Sequence, residues 1–454
     1  MRRAGRREWA ARPGSVRPTL RGVALLVASA IAFIAAYALG FRQLLYVAVV
    51  LAALPLIALA LVRVRRPKLS VKRSFSPDVV EAGSAVTVSL LVRNLGASRT
   101  MRATCWDEVP WVESGTNALE LSAMQPHGLR FSRRGNTARL EYDLRPPRRG
   151  IFPIGPFVVR LDDAFGLATM TYTVGVTQDV IVTPEVIVLA EIGLSVSGGD
   201  GAARLVQRRS SGDDDDSMTR EYRPGDAMRR VHWRASARHG DLMVRQEEQR
   251  SSPEARVILD TRGIGYEDLS GDERTGEVDS VCFEWAVRML ASVAVHLRRF
   301  GFLVTVQESG SPQLEIDLSR RHHRPDEEFL AGLAEIRLTL SSDRAPDLSG
   351  SMEKGRGRNG PIIAIVGAPD GQTLEWMLNQ RRPGDVAVAF LVQTVPAINP
   401  QVRSLGVRES HSLASTTTRL MNAGWLVVPV RSDDDHAAAW EAVVFETGRS
   451  RVGN

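Results

Sequence analysis

The chain has 454 residues, room for two or three domains, and its 44% apolar and 24% charged content is that of a folded globular protein, which excludes a disordered chain. Cys105 and Cys282 are its two cysteines, too few for a disulfide framework or a zinc cluster, and they suit a reducing compartment. The formal net charge of +6 resides in residues 1–21, where seven arginines stand against Glu8 alone; residues 22–454 are neutral in sum, unlike a nucleic-acid binder with a basic folded face.

Residues 1–21 read as a basic cytoplasmic tail. Gly22–Gly40 follows as a charge-free run of nineteen residues, and at 1.5 Å per residue it reaches about 28 Å, the thickness of a hydrocarbon core. Leu44–Val62 is a second such run, interrupted by Pro55, which a membrane helix tolerates when its neighbour covers the freed carbonyl. Only Phe41, Arg42 and Gln43 separate the runs, so 22–62 is expected to form an antiparallel transmembrane hairpin. A signal peptide cleaved after Ala36-Tyr37-Ala38 fits less well, because its apolar region is too long and a second span follows at once. Arginines precede the first span, and Arg63, Arg65, Arg66 and Lys68 follow the second. Both termini and the globular domains are therefore expected on the cytoplasmic side of a two-pass cell-membrane protein, with the lipid bilayer as partner.

Residues 69–185 carry the period-two signal of half-buried strands: Val86, Val88, Leu90 and Val92 alternate with polar neighbours. Comparable stretches occur at Leu69–Phe75, Leu140–Leu144, Phe157–Leu161 and Val180–Thr183, separated by turn-rich pieces, which points to a β-sandwich. Asp163–Leu167 reads as a turn followed by an aromatic plug. No chemistry is evident in this domain, which reads as a spacer or interaction module.

Residues 186–255 form a linker plus a distinctive central segment, 220–245. The acidic run Asp213–Asp216 reads as solvated linker; an EF-hand would need glycine where Met218 stands. In the segment Arg220-Glu221-Tyr222-Arg223-Pro224-Gly225-Asp226, Pro224-Gly225 fits the centre of a type II turn and Asp226 the cap of a short helix. Arg229 to Arg238 contains Arg230, Trp233, Ser236 and Arg238, then a His239-Gly240 turn and a strand at Leu242–Arg245. Two readings stand. Arg230, Trp233 and Arg238 form a docking surface, since Trp and Arg are favoured interface anchors; or Trp233 packs inward and the arginines pair with Asp226, Glu247 or Glu248.

The ordered set Arg220-x-Tyr222-x-x-Gly225-Asp226, Arg230, Trp233, Ser236-Ala237-Arg238 and Leu242 resembles the family catalogued as domain of unknown function 58. The N-terminal hairpin, Arg149-Gly150 with Gly155-Pro156, and the Phe165-Gly166-Leu167 turn also resemble that family, although Ala164 stands where members usually have proline. The resemblance implies a partner class, because genes of this family commonly neighbour MoxR-type AAA+ ATPases and transglutaminase-like membrane proteins.

From 256 to 450 the chain alternates strands and helices: strands at Arg256–Asp260, Phe302–Gln307, Pro361–Val366, Val386–Val392 and Trp425–Val430, with helices near 325–337, 371–380, 411–423 and 434–447. Val281, Trp285, Met289, Val293 and Leu297 mark one face of a long helix. Leu314–Leu318 is expected to return as an antiparallel edge strand after Phe302–Gln307. The class is α/β, a doubly wound, mostly parallel sheet that resembles the von Willebrand factor type A-like fold. That fold ends its first strand in Asp-x-Ser-x-Ser and holds a divalent metal there. Here the place reads Asp260-Thr261-Arg262-Gly263-Ile264; both serines are missing, and the Arg262 guanidinium offers a cation no lone pair. Asp260, Thr261 and Asp370 remain the residual metal candidates, but a salt bridge of Asp260 with Arg262 or another arginine is the preferred expectation. There is no Walker loop, H-E-x-x-H, G-x-S-x-G or Cys-x-x-Cys. His322-His323 sits in a basic surface run, and His232, His239 and Asp241 lack a nucleophile beside them. The expectation is a non-catalytic, membrane-anchored adaptor without a cofactor, with a metal- or ligand-binding switch at the Asp260/Asp370 edge as the alternative.

Overall fold

The computed structural model describes residues 14–127, 135–191, 219–222, 228, 231, 233–245, 254–272, 277–314, 325–339, 360–381, 385–394 and 413–443. The chain divides into two compact units, Met1–Glu185 and Val186–Asn454.

The first unit opens with β1 (Ser15–Pro18), α1 (Leu20–Leu39) and α2 (Arg42–Val64). Both helices are long and apolar enough to cross a membrane. Thr19 caps α1, its side chain accepting from the Gly22 N–H, and Gly40 ends it at φ +70°, a left-handed position that favours glycine. Inside the hairpin the Ser29 hydroxyl donates to the Ala48 carbonyl at 2.8 Å, tying the helices together. The expected basic tail differs at its end. Ser15–Pro18 pairs antiparallel with residues 168–171 and serves as an edge strand, a position where Pro18 deprives no neighbour of a ladder bond.

The strands that follow are β2 (Leu69–Ser76), β3 (Val79–Glu81), β4 (Val86–Asn94), β5 (Ala103–Asp107), β6 (Leu119–Leu121), β7 (Thr137–Leu144), β8 (Gly150–Ile154), β9 (Phe157–Asp162), β10 (Ala168–Val174) and β11 (Gln178–Thr183). They form three sheets, ordered β1-β10-β9-β5-β6, β2-β4-β7 and β3-β11-β8. All pairs are antiparallel except β3 with β11. Val86, Val88, Leu90 and Val92 point into one apolar core shared with Phe157, Val159, Met170 and Val182. Among the buried polar residues here is Arg73, whose Nε donates to Asp107 at 2.9 Å, while the Tyr142 hydroxyl donates to the same carboxylate at 2.7 Å. Arg73 also donates to the Val176 carbonyl at 2.7 Å, so the buried ions are paired and bonded further. Burial pushes the Tyr142 hydroxyl far up its scale, followed by the charge of Asp107. Gly155, at φ +99°, gives the guanidinium room: a Cβ there would stand 2.5 Å from it. At the Asp163–Leu167 turn the expected aromatic plug is corrected. Phe165 is 72% exposed, and Leu167 fills the core instead. The Asp163 carboxylate accepts from the N–H groups of Phe165, Leu167 and Ala168, which curls the turn and throws the ring outward.

The second unit begins with β12 (Thr219–Glu221), α3 (Trp233–His239) and β13 (Met243–Arg245), with β12 and β13 antiparallel. Then come β14 (Glu254–Leu259), the hairpin β15 (Ser270–Asp272) and β16 (Glu277–Asp279), α4 (Val281–Arg299), β17 (Leu303–Glu308), α5 (Pro325–Glu335), β18 (Ile362–Val366), α6 (Gly371–Gln380), β19 (Ala387–Gln393), α7 (Leu413–Asn422) and β20 (Leu426–Arg431). A last helix occupies 436–443 among the described residues. Five strands form a sheet in the order β17-β14-β18-β19-β20, every neighbouring pair parallel. The expected antiparallel return at Leu314–Leu318 lies, from 315 on, outside the described residues.

In β14, β18, β19 and β20 neighbouring residues enter different cores. Val257, Ile363, Ile365, Val388 and Phe390 pack with Trp285, Met289, Val293 and Leu297 of α4. Ile258, Ile362, Ala364, Ala389 and Leu391 pack with Leu374 and Met377 of α6 and Leu420 of α7. Helices therefore cover both faces, which is why these strands read as continuous apolar runs. Val281, expected on the inward face of α4, is exposed in its first turn; Ser280 caps that helix, accepting from the Phe283 N–H at 3.0 Å. The strand order reverses between β14 and β18, and the carboxyl ends of those strands flank the switch point where open α/β sheets bind ligands.

Candidate functional site

Two places collect the residues singled out by sequence: the switch point and the segment around α3.

At the switch point the end of β14 leads into Asp260, Thr261 and Arg262, the end of β17 into Ser309, and the start of α6 supplies Asp370 as its cap and Thr373 in its first turn. Asp260 is 1% exposed. Its Oδ1 accepts from the Ser309 hydroxyl and from the Arg262 N–H, the latter at 3.1 Å. Burial pushes this carboxyl up its scale, against the pull of Ser309 and the Arg262 N–H and charge. Thr261 is buried as well, its Oγ1 accepting from the Gly310 N–H at 3.1 Å. The expected Asp260–Arg262 salt bridge is corrected. The Arg262 side chain turns to Asp370, donating to Oδ1 at 3.1 Å and to the Thr373 hydroxyl at 3.1 Å. Asp260 is sealed behind the strand end, where only short donors reach it, whereas Asp370 stands at the rim as the N-cap of α6, accepting from the Thr373 N–H at 2.9 Å. Burial alone raises the Asp370 carboxyl, but the Thr373 hydroxyl and N–H, then Arg262, outweigh it and hold it below the ordinary value.

The crevice itself is occupied by protein. The Gly263–Gly265 turn lies across it, with the Gly265 carbonyl accepting from the Ala368 N–H at 2.7 Å and the Tyr266 hydroxyl donating to the Asp260 carbonyl at 2.8 Å. A Cβ on Gly265 would stand 2.3 Å from Asp260 Oδ2, and one on Gly367 would stand 2.1 Å from the Gly265 carbonyl oxygen. Thr261, Ser309 and Asp370 are thus engaged within the protein, and no group of three or more His, Cys, Asp or Glu side chains among the described residues could hold a metal ion. Ser309 and Thr373, both central to this arrangement, carry no motif in the sequence.

Around α3 the structure gives a different picture. Arg220 lies on β12 opposite Val244 of β13, and the Tyr222 N–H donates to the Leu242 carbonyl at 2.8 Å. Val231 forms a bridge with Val244, and both side chains are buried. The Ser236 hydroxyl accepts from the Met243 N–H at 2.8 Å, fixing α3 on β13; Ser236 is therefore a structural tie. Gly240 turns the chain at φ +83°. Trp233, however, is 65% exposed, and Arg238 is exposed too. The inward-packed reading of Trp233 does not hold for its side chain, which faces outward, while Val231 and Val244 are the buried apolar residues of the described part of this segment; Asp226, Glu247 and Glu248, the acids of that reading, lie outside the described residues. Met228 and Leu242 are exposed in the same segment. Gly225, Asp226 and Arg230 lie outside the described residues, as do the Pro224-Gly225 turn, the acidic run Asp213–Asp216, His232 and His322-His323; the side chain of His239 is likewise not described.

Residues 218–304 match a family model described as protein of unknown function DUF58. The DUF58 match spans β12, α3 and β13 and continues through β14 and α4, so it joins the exposed tryptophan and the Asp260–Arg262 strand end in one segment. No curated protein matches the chain. Among solved structures, the CARDB domain of the PF1109 protein of Pyrococcus furiosus, crystallised in complex with di-metal ions, is 18% identical; the alignment covers 27% of this chain and 97% of that one, at TM-score 0.18. The sporulation control protein Spo0M of Bacillus subtilis is 12% identical, covering 31% of this chain and 55% of that one, at TM-score 0.14. Overlaps of this size carry no argument about fold or activity.

Proposed function

We propose that this protein is a membrane-anchored, non-catalytic scaffold that presents the α3 segment to a protein partner. The observation that carries this reading is Trp233, a large aromatic held at 65% exposure on a helix whose own footing is already complete. Met228, Leu242 and Arg238 are exposed in the same segment, residue types favoured at interface hot spots or patches. The helices α1 and α2 anchor the chain as a two-pass hairpin, and the arginines on both flanks favour a cytoplasmic placement of both termini and of the globular units. The β domain, a β-sandwich in this reading, is a spacer or second contact surface. The α/β unit is von Willebrand factor type A-like, a reading supported by five parallel strands in switch-point order with helices on both faces. In this reading the Arg262 guanidinium, bound to Asp370, is a tethered cation with which any ion at this edge would have to compete for that carboxylate.

The resemblance to the domain of unknown function 58 family supplies the partner class: a MoxR-type AAA+ ATPase, with a transglutaminase-like membrane protein as a further member of an envelope assembly. Fractionation of cells lacking this protein tests the reading. The ATPase is expected to move from membrane to cytosol, and an unchanged distribution contradicts recruitment.

A further inference from the structure

The end of the β domain that meets the hairpin holds an aromatic side chain with no packing role. The Asp163–Leu167 turn is bonded to the start of α1: the Thr19 N–H donates to the Leu167 carbonyl at 2.9 Å, and the Thr19 hydroxyl donates to the Gly166 carbonyl. Gly22 packs directly on it, so closely that a Cβ would stand 2.2 Å from the Leu167 oxygen. Gly22 is also the first residue of the charge-free run. Whatever depth the run begins at, the turn shares it to within about one helical turn, roughly 5 Å. At that level Phe165 is 72% exposed, and its neighbour Ala164 is exposed as well. The Arg21 guanidinium lies beside Gly166, 3.7 Å from where a Cβ would stand. Where the chain leaves α2, the Arg66 guanidinium covers the Tyr172 ring at 4.8 Å, and the Lys68 carbonyl accepts from the N–H of Leu95, itself an exposed apolar residue. Tyr172 itself is buried in the β-domain core, so Phe165 is the ring this end turns outward, and an exposed ring with a cation beside it has the composition of a membrane–water boundary.

We propose that the Asp163–Leu167 turn is an interfacial anchor: Phe165 enters the headgroup–acyl boundary of an anionic bilayer, flanked by Arg21, and fixes the β domain against the membrane surface. This rests on the reading of α1 and α2 as membrane spans. The Asp163 carboxylate then has a purpose beyond closing a turn, because its three N–H contacts hold the ring outward, and Gly22 sets the depth.

The test uses the full chain in phosphatidylcholine–phosphatidylglycerol vesicles, with an environment-sensitive fluorophore on Phe165→Cys, Val176→Cys or Ile34→Cys. The native thiols of Cys105 and Cys282 do not compete, being buried, with burial pushing both up to about 12. Val176 is 79% exposed beyond the far end of β10, and Ile34 is exposed in α1. The label at 165 is expected to shift to the blue, lose intensity to shallow brominated lipid and resist aqueous iodide, while the label at 176 responds only to iodide. If 165 behaves as 176 does while 34 is quenched by deep brominated lipid, the anchor is overturned and the hairpin stands. If 34 is not quenched by lipid, the membrane reading falls and the anchor with it.

Discussion

At Asp260 burial and hydrogen bonding act against each other, and burial wins, so its folded carboxyl titrates above the ordinary value of about 4. A group raised on folding adds stability below its unfolded value and loses it as pH rises through the folded one. Asp260→Asn is therefore expected to gain melting temperature relative to wild type as pH climbs from about 4 upward, with thermal unfolding in detergent as the readout. Asp370 is the opposite case: held low by Thr373 and Arg262, it contributes stability above about 4 that disappears as pH falls through its folded value. Asp370→Asn should remove that acid-side loss. Millimolar Mg²⁺, Mn²⁺ or Ca²⁺ should leave the wild-type melting temperature unchanged, since Arg262 already occupies the carboxylate; a rise abolished by Asp260→Ala would favour the ion switch. In the β domain, Arg73→Ala strands the buried Asp107 and is expected to cost about 3–5 kcal/mol, read as a large drop in melting temperature. This network is not legible in the sequence, because Arg73, Asp107 and Tyr142 meet only when separate strands pack. For Arg262 the sequence shows a cation where a hydroxyl is needed, but not which acid it chooses. That choice depends on depth: Asp260 is behind the strand end and Asp370 at the rim.

Elements were legible where one face or one solvent dictates the pattern. Two charge-free runs separated by three residues leave only a helical hairpin, and Val86 to Val92 alternates because one face of β4 is buried. The parallel strands of the second unit are apolar throughout because helices cover both faces. Short elements were legible only in part: the strand at Leu242–Arg245 was, as β13, and β1 was not. β1 is Ser-Val-Arg-Pro, with no period of its own, and exists because β10 offers an open edge. Phe165 and Leu167 are both plausible core residues by type, and Asp163 decides between them. At α3 the sequence left two readings of Trp233 open, and the exposure of its side chain on a seven-residue helix decides for the outward one. Thr19 joins β1, α1 and the Asp163 turn through four bonds. Thr19→Ala should cost about 1 kcal/mol as a lost helix cap, and more if the Gly166 contact also fails; the melting temperature of the detergent-solubilised protein reads it.

For the whole molecule, the two units divide labour. The first combines the candidate membrane helices with a β domain whose interior is closed by a buried ion network. The second combines a sheet whose switch point is filled by its own turn and arginine with a small appended helix whose aromatic faces outward. Among the described residues Asp260 and Thr261 are internalised while Trp233 and Arg238 are exposed, and that contrast is what the scaffold proposal rests on. The most direct measurement is a cross-linked membrane pull-down comparing wild type with Trp233→Ala/Arg238→Ala, each shown to fold by its melting temperature. The account predicts that a AAA+ ATPase is recovered with the wild type and lost from the double variant. Equal recovery of the ATPase by both proteins would contradict it and move the binding face away from α3.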